Sequence, residues 1–422
     1  MSRWEPAGSR QGKGSRGHRR SQSSRSQRPP SSRLQDLTLD IQRLANDGSG
    51  IARADDGRIV FIPGTAPGDR VLVRVVEARR NLLRADILEV LQPGPDRVQP
   101  RCPAFGRCGG CSWQHIDYPA QVAAKAEILD NALRRIGGLD LPSPVQVMPS
   151  PQPYEYRGRA RILVHRHRTG YRRAASEDHA AVDDCPILAT PLRVAMRKLD
   201  AARPANGDWE LALGEADALH PEGVRVIHLD SPDPGCETLA LRAGDHSIQI
   251  ASGGFAQANP LLFDALIGAV ADAVGSGEQL LELYAGAGFF TLTLARGFQH
   301  VIAVEADTAA IANLKSAAAA GGIDNVETRA ADVERFLLDD PSSQALPRVV
   351  FMDPPRTGLG PAVTSKLCSK GPERLVYLSC DPATFARDLG RLKTGGWQLE
   401  SAEGFDLFPQ TPHIEGLAVM VR

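Results

Sequence analysis

The chain reads as an α/β protein whose C-terminal part closes on a parallel sheet, and three features predict this. From Phe255 onward, apolar strand-like runs alternate with helical stretches, the pattern of strands joined by crossover helices. The apolar run 280–285 opens directly into Gly286-Ala287-Gly288, as a buried strand does when it turns tightly into a helix beside a ligand. Upstream, short apolar runs recur between glycine and proline turns, which predicts a small β-barrel in front of the sheet.

The elements follow in chain order. Residues 1–33 carry nine Lys/Arg and one acid, Glu5, so this stretch holds +8 while the whole chain is −1, leaving −9 for the rest. Such a segment cannot bury a core and is expected to be a disordered basic tail. A basic arm on an acidic body either attracts a polyanion or only keeps the chain soluble. The tail has too few apolar residues for an amphipathic transit peptide, and no secretory segment follows it, so a cytoplasmic location is expected. No run approaches the ~20 apolar residues of a membrane span.

Residues 34–92 are expected to form the barrel, with strands over 37–41, 58–62, 70–76 and 83–91. Pro93-Gly94-Pro95 marks a linker. Pro119 starts a helix with apolar residues at Val122, Ala126, Leu129, Leu133 and Ile136, and Gly137-Gly138 stops it. A strand-rich central domain is expected over 93–250, crowded with Arg157, Arg159, Arg161, Arg166, Arg168, Arg172 and Arg173. Alternation over 159–164 places arginines on one face. The parallel-sheet domain takes 251–422.

Within that domain, glycines at 286 and 288 let a ligand approach the backbone. The next strand, 301–305, ends in Glu305 about 20 residues on, where an acid accepts hydrogen bonds from ribose hydroxyls. Asp332 follows the strand 326–330, where it meets an adenine amino group or caps the helix that begins at Val333. Position 291 is Thr, so the dinucleotide fingerprint Gly-x-Gly-x-x-Gly is broken and a different adenosine-bearing cofactor is favoured. Two further apolar runs end in Asp353-Pro354-Pro355-Arg356 and in Ser379-Cys380-Asp381-Pro382. A thiol at the carboxyl end of a sheet strand lies where ligands bind, which suggests a nucleophile rather than packing.

Phe255-Ala256-Gln257-Ala258-Asn259, the glycine turn, Asp353-Pro354-Pro355-Arg356, Ser379-Cys380-Asp381-Pro382 and His413-Ile414-Glu415 stand in this order. Together they resemble the RNA uridine C5-methyltransferase family, which uses S-adenosylmethionine. The resemblance implies a Rossmann-like class I methyltransferase domain at the C-terminus, and it extends upstream, where 34–92 resembles the TRAM domain, an OB-like RNA-binding β-barrel. Gln257, Tyr284, Glu305, Asp332 and Asp353 fall at the family's cofactor-contact positions. Phe289 stands where relatives often carry a polar residue, so that contact is not expected. The chemistry accounts for two further residues. Uracil C5 is too weak a nucleophile until a thiolate adds to C6, which assigns Cys380, and a base must later remove the C5 proton, which assigns Glu415. Asp353 would orient the uracil edge or the cofactor, Arg356 would balance the enolate charge or hold a phosphate, and His413 would orient groups or touch RNA.

The seven cysteines form an odd count with no secretory segment, which points to metal or catalysis rather than disulfides. Cys102, Cys108 and Cys111 cluster and Cys185 stands apart; four thiolates select zinc or an iron–sulfur cluster. The family resemblance implies a 4Fe–4S site, with zinc as the alternative, and Pro103 and Pro186 after two of the ligands agree with it. Cys236 and Cys368 read as structural. The expected partner is RNA, with ribosomal RNA favoured over transfer RNA, and no obligate protein partner is evident. Two rivals remain: an adenine amino-methyltransferase, for which Asp-Pro-Pro holds an exocyclic amine but Cys380 and Glu415 are idle, and a non-catalytic RNA-binding protein.

Overall fold

The computed structural model describes residues 35–141, 143–231, 238–339, 346–369 and 372–422. The basic stretch 1–33 and Cys236 lie outside the described residues.

Alternation builds the first sheet. In the strand Arg70–Ala78, Val71 and Val73 are sealed from water while Arg70 and Arg74 are exposed. Asp36–Asp40, Arg70–Ala78, Leu82–Gln92, Ile59–Ile62, Gly50–Arg53 and Arg43–Leu44 lie side by side in that order. Only Ile59–Ile62 and Leu82–Gln92 pair in parallel. Leu39, Val60, Ile62, Val71 and Leu83 belong to its core. Four of these six strands were expected. The other two, Arg43–Leu44 and Gly50–Arg53, flank the turn at Gly48 and are too short to show a period in the sequence. The expected linker is clamped rather than free. The buried Asp69 carboxylate accepts hydrogen bonds from Arg97 Nη2 at 2.7 Å, the Ala66 amide at 2.6 Å and the Gly94 amide at 2.8 Å.

A second sheet runs His179–Ala181, Arg168–Arg172, Arg159–His165, Gly207–Leu213 and Val224–His228. Ala160 and Ile162 turn inward and pack with Leu192 and Met196 of the helix Thr190–Ala201. Arg159 and Arg161 occupy the other face, as the alternation predicts, and pair with Glu210 and Asp208.

The third sheet has eight strands among the described residues, in the order Val326–Ala330, Phe298–Glu305, Gly277–Leu283, Val349–Met352, Arg374–Ser379, Glu415–Val421, Gln398–Phe405 and Gln146–Met148. The first five are parallel. Their order reverses between Gly277–Leu283 and Val349–Met352, and ligands of open α/β sheets bind outside the carboxyl ends at such a point. Glu415–Val421 enters antiparallel, so its first residue lies at the end where Arg374–Ser379 finishes. The last strand, Gln146–Met148, comes from the stretch expected to be central. Among the described residues, no helix is long and apolar enough to cross a membrane.

The helix Tyr118–Arg135 links the sheets, and its buried face differs from the apolar stripe in the sequence. Pro119 in the first turn and Gly137-Gly138 after the end set its limits as expected. Ile136, however, is 55% exposed, while Gln121 and Lys125 are fully buried. These two polar side chains face the loop 406–413. Lys125 Nζ donates to Asp406 Oδ1 at 2.5 Å and to the Phe408 carbonyl at 3.0 Å. Burial pulls the Lys125 ammonium's pKa down, and Asp406 opposes that pull. Gln121 Nε2 donates to the carbonyls of Trp113 and Ile116 and to Gln410 Oε1, while its Oε1 accepts from the Gln410 amide at 2.9 Å.

Removing one member of a buried pair leaves an uncompensated charge, at a cost of about 3–5 kcal/mol. Lys125→Met should therefore destabilise the fold by about that amount in denaturant unfolding. The double variant Lys125→Met/Asp406→Leu should recover most of the loss, because no buried charge remains.

Candidate active site

Strand ends build the site. Past Leu283 the chain turns sharply, with Tyr284 at φ +64°, Gly286 at +56° and Gly288 at +94°. The left-handed backbone at Tyr284 is costly for a side-chain-bearing residue, and such strain gathers where a turn cradles a ligand. The two glycines serve different needs. A Cβ on Gly288 would sit 2.5 Å from Leu314 Cδ1, whereas a Cβ on Gly286 meets nothing within 4 Å. Gly288 lets the helix Thr308–Ala320 close in, and Gly286 leaves open space. The helical turn after the glycines is short, Thr291–Leu294.

Glu305 ends the neighbouring strand and is hydrogen-bonded to this turn. Its Oε2 accepts from the Gly286 amide at 3.0 Å and its Oε1 from the Asp307 amide at 2.8 Å. Asp332 caps its helix, accepting from the Arg335 amide at 3.0 Å. It also faces Tyr284, whose phenol is pushed up to about 12 by burial and by the acids Asp332, Glu334, Asp388 and Glu305. Tyr284, Glu305 and Asp332 thus share one rim. Gln257 is buried in a separate segment, just before Asn259 caps the turn Pro260–Leu262.

The thiol and the carboxyls meet on the other side of the strand-order reversal. Ser379 pairs with Gly416 across the antiparallel ladder, so Cys380 leaves its strand beside the point where Glu415 enters. Asp353 follows Met352, which pairs with both Leu283 and Tyr377. Burial pushes the Cys380 thiol up to about 11, with Glu415 and Asp353 adding to it and Arg356 opposing them. Burial also pushes Asp353 up to about 7. Glu415, 2% exposed, is pushed well above the carboxylate range by burial and by Asp353, against the pull of Arg356. His413 is exposed, with its ring edge-on to Phe408.

One acid was not singled out in the sequence. Glu282 is 1% exposed, its Oε2 has no hydrogen-bond partner, and burial pushes it up to about 8. It is the lone acid in the apolar run 280–285, which is the signal that could have revealed it. A buried carboxyl with an unpaired oxygen next to the glycine turn suits the cationic end of a ligand. The turn, the Glu305 carboxylate bonded to it and this carboxyl together fit an adenosine-bearing cation.

The four expected metal ligands surround one cavity. Cys102, Cys108, Cys111 and Cys185 line a space of about 150 Å³ together with Tyr171, Gln114 and Arg157. Burial pushes the Cys111 thiol up to about 12 and raises those of Cys108 and Cys185. Among the described residues, no three His, Cys, Asp or Glu side chains are gathered as a single ion would require. The structure therefore shows a shared cavity and no formed metal centre. Cys368 lies far along the chain at the end of the helix Pro361–Cys368, where Arg422 contacts its carbonyl.

Residues 233–422 match the family described as tRNA (Uracil-5-)-methyltransferase, and residues 31–88 match the TRAM domain. The chain is 33% identical to 23S rRNA (uracil(1939)-C(5))-methyltransferase RlmD of Alkalilimnicola ehrlichii, over 90% of this chain and 96% of that one. It is 32% identical to the protein of the same name from Pseudomonas aeruginosa PAO1, over 90% and 93% of the two chains. In structure it is similar to tRNA (uracil-54, C5)-methyltransferase of Pyrococcus abyssi in complex with S-adenosyl-L-homocysteine. The TM-score is 0.71 at 25% identity, covering 91% of this chain and all of that one.

The Asp353 carboxyl gives the site a pH signature. An unfolded chain ionises this group near 4, whereas the fold keeps its proton up to about 7. The stability it contributes is complete below about 4 and is lost as pH rises through about 7. Asp353→Asn removes that loss. Relative to the parent, the variant should gain on the order of 2–4 kcal/mol between pH 4 and pH 8, read as a pH-dependent difference in melting temperature. A difference that does not change with pH would place the carboxyl in water.

Proposed function

Because the chain belongs to the RNA uridine C5-methyltransferase family and is an S-adenosylmethionine-dependent enzyme of that kind, we propose that it converts a uridine of 23S ribosomal RNA to 5-methyluridine. The observation that carries the reaction is the meeting of Cys380 and Glu415 on adjacent antiparallel strands, at the ligand-binding end of the sheet. The relatives named for 23S rRNA span nearly the full chain, which supports the ribosomal substrate. A ribosomal substrate carries with it a cytoplasmic location. The Pyrococcus relative, named for tRNA, makes transfer RNA the second reading.

The residues divide the chemistry. S-adenosylmethionine, when bound, supplies an electrophilic methyl group. Tyr284, Glu305, Asp332 and Gln257 would hold its adenosine end, and Asp353 and Glu282 would face its charged end. The Cys380 thiol rests protonated, and Arg356 is the neighbour that favours the thiolate. The thiol first gives its proton to solvent, the thiolate adds to uracil C6, and the C5–C6 π pair moves to the C4 oxygen, where Arg356 balances the charge. C5 then takes the methyl group. Glu415 in its ionised form, made a stronger base by its burial, accepts the C5 proton, the C5–C6 double bond reforms, and the C6–S bond breaks to release the Cys380 thiolate.

RNA has a groove of about 320 Å³ lined by Arg157, Arg161, Gly254 and Phe255. Phe255 is 79% exposed and lies two residues before Gln257. An exposed ring beside guanidinium groups suits stacked, single-stranded RNA. The four cysteines around their shared cavity support a 4Fe–4S group held by Cys102, Cys108, Cys111 and Cys185. Such a group would tie the 102–111 loop to Cys185. The basic stretch 1–33 would add phosphate contacts that read no sequence.

Cys380→Ala should abolish methyl transfer to RNA while S-adenosylmethionine still binds in calorimetry. Glu415→Gln should instead accumulate a methylated protein–RNA adduct, visible as a slow band on a denaturing gel. Methylated 23S rRNA in a strain lacking the protein would turn the substrate toward transfer RNA.

Anaerobically purified protein should be brown and carry about four irons per chain. Changing any one of the four cysteines to Ser should bleach it. One tightly bound zinc in colourless protein would replace the iron assignment.

A further inference from the structure

Gln410 stands between two sites that are distant in the sequence. It is 2% exposed and adopts φ +69°, a backbone conformation that side-chain-bearing residues rarely take. Its carbonyl accepts the amides of Ser112 at 3.1 Å and Trp113 at 3.0 Å, directly after Cys111. Its own amide donates to Gln121 Oε1 at 2.9 Å, and its side chain accepts from Gln121 and donates to the Pro153 carbonyl. Next to it, the Pro409 carbonyl accepts from the Tyr156 hydroxyl at 2.9 Å. Beyond Gln410 the chain passes through Thr411, Pro412, His413 and Ile414 into Glu415, with Ile414 and Glu415 buried. Few rotatable links separate the last thiol of the cysteine loop from the first residue of the final strand.

Trp113 extends the link to the first sheet. Its Nε1 donates to the Gly48 carbonyl at 3.0 Å, and the Gly48 backbone packs so closely that a Cβ there would meet Pro412 Cγ at 3.2 Å. The cysteine loop, the first sheet and the loop before Glu415 thus share one set of backbone hydrogen bonds. Apart from the exposed Ser112, these partners are buried or half-buried, so water does not readily replace most of these bonds once they are lost.

We propose that Gln410 is a positioning residue that couples the four-cysteine loop to the placement of Glu415. The proposal rests on the reading of Glu415 as the base and extends it. A filled thiol cavity fixes Cys111, the amides of residues 112 and 113 then hold the Gln410 carbonyl, and the left-handed turn at Gln410 directs the chain into its final strand. Loss of order at the thiols would leave Cys380 in place but let Glu415 drift. The coupling is reciprocal by thermodynamic necessity.

Amide hydrogen exchange on the full-length protein, read by mass spectrometry, tests the coupling without relying on turnover. Cys111→Ser should speed exchange across 408–415 by roughly tenfold while the strand Gly277–Leu283 keeps its protection. Gln410→Ala keeps the backbone carbonyl but removes the side-chain bonds to Gln121 and Pro153 and disfavours the left-handed turn, so it should do the same and should also speed exchange at residues 112 and 113, whose acceptor carbonyl is no longer held in place. In single-turnover assays, both variants should form the protein–RNA adduct at near-parental rate and resolve it at least about tenfold more slowly. Unchanged exchange over 408–415 in Cys111→Ser would overturn the proposal. If Gln410→Ala does not fold, Gln410→Gly, which suits the positive φ and removes only the side-chain bonds, gives the same reading. Faster exchange with normal adduct resolution would uphold the coupling and remove Glu415 as the base.

Discussion

The arrangement of this enzyme depends on the burial of one ion pair. Lys125 and Asp406 are both fully sealed from water, and a sealed charge tolerates no slack in its partner. The pair joins the helix Tyr118–Arg135 to the loop 406–413, and the Gln121–Gln410 amide clamp lies one helical turn away. Because Lys125 and both Gln121 and Gln410 find their partners across this contact, with only Asp406 Oδ2 left without one, the loop has a single placement. The entry of the strand Glu415–Val421 follows from it, and so does the meeting of Glu415 with Cys380.

At the catalytic end the physics runs the other way. Glu282, Asp353 and Glu415 are three carboxyls withdrawn from water at the strand ends, and each keeps its proton to higher pH than it would in solution. The thiol shares that environment and rests protonated. Such a site is costly to the fold, and groups perturbed in this way gather at functional sites. Arg356 is the opposing charge, and it is exposed to solvent.

Much of this was legible in the sequence wherever a short local pattern carries the information. The glycine turn, the Asp353 and Cys380 strand ends and the stop at Gly137-Gly138 are all local. The misses come from partners that are distant in the sequence. Nothing near Lys125 announces Asp406, so the helix reads as an apolar stripe through Ile136, which the structure leaves exposed. The strand Gln146–Met148 spans three residues, too few for a period, and gains its identity only by pairing with Gln398–Phe405. Asp332 stood open between capping and ligand binding, and its bond to the Arg335 amide establishes the cap without excluding the other. Glu282 was readable in principle, as an acid stranded in an apolar strand.

That short strand also bears on how such proteins evolve and can be re-engineered. The helix Tyr118–Arg135 and the strand Gln146–Met148 supply Leu129, Leu133 and Val147 to the same core as Leu283, Met352 and Tyr377. The catalytic sheet is thus interleaved with chain that precedes the second sheet. A cut near residue 250 would strip the sheet of an edge strand and bare an apolar face, so the catalytic part is not an exchangeable cassette at that point. The permissive joint lies further upstream. Beyond the Asp69 clamp, the first sheet meets the rest through Pro93-Gly94-Pro95, the Trp113–Gly48 and His115–Thr65 bonds, and a small apolar cluster that joins Leu44 and Ala66 to Ile116, Ala124 and Ile128. Recombination or design that trades one RNA-reading front end for another has that seam to work with. Any graft there must restore an acceptor for the Trp113 indole.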